Sequence, residues 1–409
     1  HQAPEVKAAL QGLPCRMIVQ RTQLGTAHAV LQARRWFAGL RSPVVILNGD
    51  LPLITAETIR RLMDAHRSQP ATLSLASLRL ADPTGYGRIV RSAGGRVTAI
   101  VEETEATPAE RGLSEVNGGL YVAEGRWLAG ALRKIRPDNA KREYYLTDLV
   151  KIAVGGGGVV QAVEAPPEEL LGVNSRADLA RAESLVRRRI VARHLAAGVT
   201  MRHPETAFID DEVVIGQDAV LYPMVQLEGR TVVGAGSILH AGVRVRDSRL
   251  GACVTVLDSS VIDQSELADG ATVGPFARLR PGARIGPGAK IGNFVEVKRS
   301  TIGAGSKANH LTYLGDAVIG RNVNVGAGTI TCNYDGREKH RTVIGDGVFV
   351  GSDVQFVAPV RVGREAVIAA GATITRDVPA GALAISRTPQ ANKPGWAKKK
   401  FASKKRKKK

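Results

Sequence analysis

Aromatic residues, cysteines and long apolar runs are all scarce in this chain of 409 residues. Phe, Trp and Tyr make up 4% of it, whereas glycine contributes 45 residues, which indicates many tight turns. The apolar runs fall far short of the roughly 20 residues that cross a bilayer, and the first residues lack a secretion signal, so we expect a soluble, cytoplasmic protein. The number and spacing of Cys15, Cys253 and Cys332 indicate neither a disulfide framework nor a metal site. We therefore interpret these cysteines as small buried apolar residues.

The positive charge of the chain is concentrated at its C-terminal end. The formal charge is +19, but residues 398–409 hold nine Lys or Arg and no acid, which leaves +10 for residues 1–397. That moderate balance suits anionic substrates such as nucleotides and sugar phosphates. We expect residues 391–409 to form a solvated, disordered basic tail. Because Phe401 is the one aromatic residue among residues 398–409, the tail shows no stacking pattern, and RNA or a membrane surface is the minor alternative partner.

A six-residue repeat of aliphatic residues dominates the second half of the chain. Six fits neither the 3.6-residue period of a helix nor the two-residue period of a strand, so each hexad predicts one flat side and one corner of a triangular coil. The coils stack into a β-helix over about residues 205–385, with aliphatic side chains inside and small residues such as glycine at the corners. The repeat is clearest at Val273, Leu279, Ile285, Ile291, Val297, Ile344, Val350, Phe356, Val362, Ile368 and Ile374.

Two segments break this rhythm, residues 307–316 and residues 331–342. A loop that interrupts a regular solenoid is the usual place for function. The first segment contains His310, and an imidazole that titrates near neutrality suits the removal of a proton from an attacking amine. Arg280 and Lys298 are 18 residues apart, which is three coil sides, so we expect them to stack as a cationic clamp for a sugar phosphate.

Residues 1–172 alternate between predicted strands and helices, as in an α/β domain. Ligands of such sheets lie beyond the carboxyl ends of the strands, and Asp50 follows a short buried strand directly, so Asp50 is a candidate metal or phosphate ligand. Residues 23–29 form a small-residue turn at a helix start, which suits backbone contact with a nucleotide. Strands are predicted over residues 44–47, 73–78 and 96–101, and helices from the N-cap Thr55 and over residues 144–154.

Several motifs in a fixed order make the chain resemble one bacterial family, the bifunctional UDP-N-acetylglucosamine pyrophosphorylase and glucosamine-1-phosphate N-acetyltransferases. The resemblance runs from about residue 13 to residue 396. In the second half it rests on the hexads and on segments 306–316 and 333–336. In the first half it rests on residues 23–29, 48–50, 82–89, 115–117, 143–148 and 172–174, together with Glu102.

The resemblance implies the fold, the domains and the reactions. It implies an α/β, Rossmann-like nucleotidyltransferase domain over residues 1–172 that lacks its first βα unit, a linker helix within residues 173–200, and a left-handed parallel β-helix over residues 201–390. The implied enzyme transfers acetyl from acetyl-CoA to glucosamine 1-phosphate, and then uridylyl from UTP to N-acetylglucosamine 1-phosphate, with release of pyrophosphate. The product serves peptidoglycan and lipopolysaccharide synthesis. Mg²⁺ is the implied cofactor, and a homotrimer is the implied working form.

The resemblance also assigns site residues by position. In the acetyl site it implies His310 as the general base, a sugar-phosphate pocket of Arg280, Lys298, Tyr313 and Asn324, and acetyl-CoA contacts from Ala327, Asn333, Tyr334, Ser352, Ala370 and Arg387. In the uridylyl site it implies Asp50 and Asn174 as Mg²⁺ ligands, with nucleotide or sugar contacts from Gln20, Gly25, Thr26, Asn48, Gly49, Gly87, Glu102 and Asn117.

The chain departs from the family pattern at four places. Asn48 replaces a usual Tyr, Gly118 a common Thr, and Asn309 the usual Gly before the base; since Asn tolerates positive φ, we expect the last to keep its loop shape. The family also begins with a strand and a glycine-rich loop that bind the triphosphate, and this chain starts after that unit. We interpret the sequence as N-terminally incomplete and expect the uridylyl step to be lost in the chain as given, because phosphoryl transfer depends on positioning and charge neutralisation.

Two other functions are compatible with parts of the sequence. One is a nucleotidyltransferase whose β-helix serves only for oligomerisation, although such a scaffold would not need Arg280, Lys298, His310 and Tyr313 in register. The other is a non-catalytic binding protein whose basic tail contacts RNA, which the charge of residues 398–409 allows.

Overall fold

The computed structural model describes residues 3–405, with side chains described as far as Ala402. The chain divides into two compact units, His1–Val186 and Arg187–Lys409. The division falls inside the helix Arg176–Ala196, within the segment 173–200 for which a linker helix is predicted. Over residues 3–405, no helix is both long and apolar enough to span a membrane.

The first unit is built around a six-stranded mixed sheet. Its strands are β1 (Pro43–Leu47), β2 (Ala71–Arg79), β3 (Arg88–Arg91), β4 (Val97–Val101), β5 (Glu115–Glu124) and β6 (Val159–Glu164). The order is β4-β3-β5-β2-β6, with β1 also paired to β5; β2 and β6 are parallel and the other pairs antiparallel. The helices of the chain are α1 (Ala3–Ala9), α2 (Thr26–Gln32), α3 (Arg34–Phe37), α4 (Ala56–Ser68), α5 (Pro108–Arg111), α6 (Gly125–Ala131), α7 (Asp148–Gly155), α8 (Arg176–Ala196) and α9 (Trp396–Lys405).

The predicted elements of this unit are confirmed with one correction at a helix start. Thr55 caps α4 by accepting a hydrogen bond from the backbone N–H of Thr58 at 3.2 Å, as an N-cap threonine should. The helix predicted from residue 144 begins instead at Asp148. The backbone of Tyr144 is not free to form the first helical turn, because its N–H donates to Leu24 O at 2.8 Å and its carbonyl accepts from Ala27 N–H at 2.9 Å.

The second unit is a parallel β-helix with three faces. The first face is made of strands at Thr200–Met201, Val220–Leu221, Ile238–Leu239, Thr255–Val256, Thr272–Val273, Asn324–Val325, Phe349–Val350, Val367–Ile368 and Leu383–Ala384. The second is made of strands at Phe208–Ile209, Gln226–Glu228, Arg244–Arg246, Val261–Asp263, Arg278–Leu279, Ile330–Cys332, Gln355–Val357 and Thr373–Ile374. The third is made of strands at Val214–Ile215, Val232–Val233, Arg249–Leu250, Glu266–Leu267, Arg284–Ile285, Thr301–Ile302, Ala317–Ile319, Thr342–Ile344 and Val360–Val362.

Two nine-residue strands, Lys290–Lys298 and Lys307–Gly315, pass from the first face to the second. The segment 307–316, which breaks the hexad rhythm, is therefore a strand and not the loop that we expect from the sequence. Leu311 turns its corner with φ 42°, whereas Asn309 is absent from the positive-φ residues, so Asn309 does not need the left-handed conformation that we invoke for it. Thr312 fills an interior position, and its hydroxyl donates to His310 O at 2.6 Å, which satisfies that buried polar group.

Close contact between coils explains the glycine that follows many interior residues. A Cβ on Gly234 would lie 2.3 Å from Gly251 O on the next coil, so any side chain there would push the coils apart. The positive-φ corners, where we expect glycine, often carry other residues, such as Asp218, Phe276 and Asn322. The repeating glycine is thus required mainly by coil stacking rather than by corner geometry.

The cysteines and the tail differ from expectation. Cys15 and Cys253 are exposed and Cys332 is half-buried, since Cys253 stands at a positive-φ corner and Cys332 follows the interior residue Thr331. Within the predicted disordered tail, residues 396–405 form α9, in which the Lys400 ammonium lies 4.4 Å from the centre of the Trp396 ring. Residues 406–409 of that prediction lie outside the described residues.

Candidate functional site

The first unit contains a cavity of about 510 Å³ beyond the carboxyl end of β1. This is the edge at which a ligand of an α/β sheet is expected. The cavity brings together most of the predicted uridylyl-site residues, namely Thr26, Asn48, Asp50, Gly87, Glu102, Asn117 and Asn174.

Asp50 and Asn174 converge on Gly172 at one end of this cavity. A Cβ built on Gly172 would lie 3.6 Å from Asp50 Oδ2 and 3.6 Å from the side-chain amide nitrogen of Asn174. The backbone N–H of Val173 donates to Asp50 O at 2.9 Å, which ties the two segments together. The missing side chain at residue 172 leaves a space bordered by a carboxylate and a carboxamide, and their oxygen atoms are suitable donors for a hard cation.

Glu102 forms another wall of the cavity, where it accepts a hydrogen bond from the Thr147 hydroxyl at 2.9 Å. Burial raises the pKa of this carboxyl group, and the hydrogen bond from Thr147 offsets part of the rise. The pairing of β5 with β3 positions Asn117 beside Gly87, since the backbone N–H of Asn117 donates to Gly87 O at 2.8 Å. These residues place hydrogen-bonding groups around a space large enough for a sugar.

Gln20, Gly25 and Gly49 do not border the cavity. Gln20 instead binds Gly25 O and His28 Nδ1 at 3.2 and 2.9 Å. Gly25 precedes α2 with φ 109°, and a Cβ there would lie 2.6 Å from Tyr144 O, so only glycine fits. Tyr121, Thr147, Asp178 and Arg181 are among the residues that border the cavity and that sequence reasoning missed, although Thr147 lies within the motif 143–148 and could have been found there.

The structure gives a physical reason for one departure from the family pattern and a packing contact for another. A Cβ on Gly118 would lie 2.4 Å from Leu170 Cδ1 and 3.0 Å from Ala76 O, so threonine would not fit without displacing Leu170. Asn48 packs over Gly119, whose Cβ would lie 2.5 Å from the Asn48 amide nitrogen.

On the β-helix, Arg280 and Lys298 stack as expected. Leu279 pairs with Val297 in parallel register, which puts Arg280 and Lys298 at the same place on successive coils of the second face. Arg280 donates to Glu296 Oε1 at 2.8 Å, and this hydrogen bond raises its pKa. Glu296 in turn pairs with Tyr313, so Tyr313 lies beside the two cations.

Lys339 is a third cation of this cluster, and sequence reasoning missed it. It belongs to the loop 334–341 within the second interruption, residues 331–342, and its positive charge acts on Lys298. Desolvation lowers the pKa of Lys298, and the neighbouring charge of Lys339 lowers it further. The two lysines are 41 positions apart and meet only through the fold, so no spacing in the sequence indicates their contact.

His310 lies on the first face at the head of a column of small residues. Ala308 pairs with Val325, Val325 with Val350, and Val350 with Ile368. Two residues further along each strand, the same places on successive coils are occupied by His310, Ala327, Ser352 and Ala370. Arg387 ends the column by donating from Nη1 to Ala370 O at 2.7 Å. Four predicted acetyl-CoA residues are therefore aligned with the predicted base.

Asn324, Asn333 and Tyr334 have different positions. Asn324 pairs with Lys307 on the first face, around the corner from Arg280 and Lys298. Asn333 is buried at the end of a second-face strand, and its amide donates to Asp316, which also binds Arg299 at 2.8 Å. Tyr334 is exposed on the loop that follows. Within one copy of the chain, Asn324 and the column of His310 therefore lie on the first face, and the cationic cluster lies around the corner on the second face.

Comparison with known proteins agrees with both units. Residues 4–166 match the nucleotidyl transferase family model, and residues 341–376 match the bacterial transferase hexapeptide model of six repeats. A bifunctional protein GlmU from Anaeromyxobacter sp. (strain Fw109-5) is 53% identical over 406 residues, covering 98% of this chain and 83% of the relative. The bifunctional protein GlmU of Geotalea uraniireducens (strain Rf4) is 48% identical over 402 residues, covering 98% and 88%.

The chain belongs to the GlmU family. It is therefore a bifunctional transferase, an acetyltransferase and a uridylyltransferase of UDP-N-acetylglucosamine synthesis. The fold class expected from the sequence is confirmed: a nucleotidyltransferase unit with a mixed sheet is followed by a left-handed parallel β-helix of hexapeptide repeats. The hexapeptide match over residues 341–376 covers the coils that carry Ser352 and Ala370.

Proposed function

We propose that the β-helix unit acetylates glucosamine 1-phosphate with His310 as the general base and acetyl-CoA as the donor. The observation that carries this proposal is the column that begins at His310. It continues through Ala327, Ser352 and Ala370 on successive coils and ends at Arg387. Small residues leave an open track along the coils, and successive coils are about 4.8 Å apart, so the track from His310 to Arg387 is about 15 to 20 Å long. An elongated ligand with a phosphate-bearing end and a reactive thioester end fits such a track.

The polarity of the track supports one direction for acetyl-CoA. The Arg387 guanidinium is a suitable partner for the phosphates of the coenzyme, and the thioester then lies at the His310 end. An amine that attacks the thioester carbonyl must lose a proton, and the exposed imidazole of His310 is available to take it. Backbone N–H groups of the coil corners are fixed donors that can stabilise the oxyanion of the transition state.

The cluster of Arg280, Lys298 and Lys339 would bind the phosphate of the amino sugar, with Tyr313 beside it. Three cations around one dianion neutralise its charge and orient the sugar. In a scaffold used only for oligomerisation, the repulsion between Lys298 and Lys339 would be unfavourable and would serve no purpose. Asn333 and Tyr334 lie at the base of the loop that carries Lys339 and would contact the acetyl group and the coenzyme.

The working form would be a homotrimer. Phe276 and Phe294 stack at the corner between the first and second faces with ring centres 5.5 Å apart, and Leu311 continues the column on the next coil. These side chains are 50%, 58% and 63% exposed, which is unusual for a ladder of large apolar residues. A second copy that covers this corner would bury them and could bring its own residues to the cationic cluster, such as Asn324.

The cavity of the first unit would transfer uridylyl from UTP to N-acetylglucosamine 1-phosphate. Asp50 and Asn174 would hold Mg²⁺, and two protein ligands suit an ion that keeps several waters and substrate oxygens. When bound, Mg²⁺ neutralises charge on the transferring phosphoryl group. Glu102 and Asn117 would hold the N-acetylglucosamine moiety, with Glu102 fixed by Thr147.

The acetyl step is tested by measuring CoA thiol release with acetyl-CoA and glucosamine 1-phosphate. Replacing Ala370 by Trp should block the track and raise KM for acetyl-CoA by on the order of 10-fold or more, because a large side chain would occupy the path of the coenzyme. Val214→Trp on the third face is the matched control and should change nothing. Absence of thiol release by the wild type would leave the β-helix as a scaffold only.

A further inference from the structure

The loop 334–341 is a closed hairpin rather than an irregular excursion. Tyr334 and Lys339 form an antiparallel bridge, and the His340 N–H donates to Asn333 O at 2.8 Å. Asp335 N–H donates to Glu338 O at 3.2 Å across the turn. The hairpin therefore fixes the direction in which Lys339 leaves the β-helix.

Asp335 organises this hairpin with both of its carboxylate oxygens. Oδ1 accepts the backbone N–H groups of Arg337 and Glu338 at 2.8 and 2.7 Å, while Oδ2 accepts from His340 Nε2 at 2.7 Å. The backbone N–H of Glu338, the His340 ring and the N–H of Arg337 hold the pKa of Asp335 well below its usual range. One carboxylate thus connects the turn of the hairpin to its returning strand.

The contact between Asp335 and His340 differs from an ordinary surface pair. His203 and Glu205 also lie 3.0 Å apart, but their side chains are 60% and 77% exposed and the pair bridges only neighbouring residues. Isolated exposed pairs of that kind contribute little. In contrast, the side chains of His340 and Asp335 are 28% and 49% exposed, and Asp335 makes two further hydrogen bonds that close the turn.

We propose that Asp335 and His340 are positioning residues that hold the hairpin closed and thereby keep Lys339 against Lys298 at the sugar-phosphate cluster. The assignment of that cluster to a sugar phosphate rests on the proposed function, whereas the closed hairpin does not. Without the pair, the turn loses the side-chain bond that joins its two ends. Lys339 then lies on an exposed loop held by its backbone bonds, among them the bridge to Tyr334 and the bonds from His340 to Asn333 and from Asp335 to Glu338. The consequence falls on substrate binding, since neither residue touches the reacting atoms.

Two measurements test this positioning role in the full chain. KM and kcat for glucosamine 1-phosphate are measured for wild type, His340→Ala, His340→Gln and the control His203→Ala. Tryptic cleavage after Arg337, Lys339 and Arg341 is followed by mass spectrometry in the same four proteins, without any substrate. The second measurement reports hairpin closure whether or not the chain is an acetyltransferase.

We expect His340→Ala to raise KM for glucosamine 1-phosphate about tenfold, with kcat within about twofold, because one charge-assisted hydrogen bond is lost away from the reacting atoms. Cleavage within the hairpin should accelerate about fivefold or more, since opening becomes more frequent. His340→Gln, which retains a donor, should recover most of both effects, and His203→Ala should match wild type.

Several results would overturn the proposal. Unchanged cleavage in His340→Ala would show that the pair does not close the hairpin. Faster cleavage with an unchanged KM would show that closure does not position Lys339. An equal loss of kcat and stability in both His340 variants would indicate a general structural role. If wild type releases no thiol from acetyl-CoA, the proposed function fails, but the cleavage rates still decide whether the hairpin is held closed.

Discussion

Arg280 and Lys298 lie one above the other on the second face, and the carboxylate of Glu296 binds Arg280 from the neighbouring row at 2.8 Å. Arg280 is thus held in place, while Lys298 faces the added positive charge of Lys339. A site that concentrates like charges in this way is poised for an anion, which relieves their repulsion on binding.

Removing a cation from this cluster should weaken phosphate binding. We expect Lys298→Ala to raise KM for glucosamine 1-phosphate by on the order of 100-fold, because a charge-assisted contact with a dianion is lost. Arg246→Ala is the matched control, since Arg246 lies in the same row three coils before Lys298 and binds Asp263. Steady-state kinetics at fixed acetyl-CoA measure both variants, and equal KM values would remove Lys298 from the pocket.

Removing the imidazole should affect the chemical step. We expect His310→Ala to lower kcat for acetylation by on the order of 10² or more, the usual contribution of a general base, while the oligomeric state stays unchanged. His240→Ala is the control, a first-face histidine on an earlier coil that stacks on Tyr222. Thiol-release kinetics and light scattering check the two expectations, and a wild-type rate in His310→Ala would contradict the base assignment.

The half-buried carboxyl group of Glu102 should make the first unit less stable as pH rises. Its folded-state pKa is raised, so between the ordinary and the raised pKa the folded chain binds more protons than the unfolded chain, and the free energy of unfolding falls with increasing pH. Glu102→Gln keeps an acceptor for Thr147 and removes this dependence. We expect the melting temperature of the variant to exceed that of wild type by a few degrees, with a margin that grows from about pH 4 upward. A constant margin across pH, measured by calorimetry, would contradict this.

A charge at the apolar corner should disrupt assembly. We expect Phe294→Glu to convert the proposed trimer into smaller species and to reduce acetylation at least tenfold, since burying an unpaired carboxylate in an interface is costly. Val214→Glu places the same charge on the third face, where Val214 is 57% exposed, and should leave the mass unchanged. Size-exclusion chromatography with light scattering distinguishes the two, and a Phe294→Glu protein of wild-type mass would exclude this corner from the contact.

The hexad spacing was sufficient to predict the β-helix and the stacking of Arg280 on Lys298, because side chains one coil apart must share a place. It was not sufficient to predict that residues 307–315 form a strand, since Ala308 and Thr312 occupy interior positions usually held by larger aliphatic residues. Nor could spacing reveal Lys339, whose approach to Lys298 depends on how the hairpin closes.

In the first unit, the strand ends indicated Asp50, but the sequence could not show which neighbours complete its cavity. Tyr121 reaches it from the middle of β5 and Arg181 from α8, and neither position carries a local signal. For the tail, the charge of the sequence favours an irregular end. The structure instead has α9, which contains good helix-forming residues and places the Lys400 ammonium over the Trp396 ring.

The column that begins at His310 ends on the coil of Leu383–Ala384, which pairs with Val367–Ile368 and is the last strand among residues 3–405. A terminal coil of a stacked fold is stabilised from one side only and frays first. Affinity for the coenzyme would then depend on order at the end of the solenoid, far from the bond that reacts. A substitution that loosens residues 383–387 should therefore slow acetylation at low acetyl-CoA concentration, and high acetyl-CoA concentration should restore the rate.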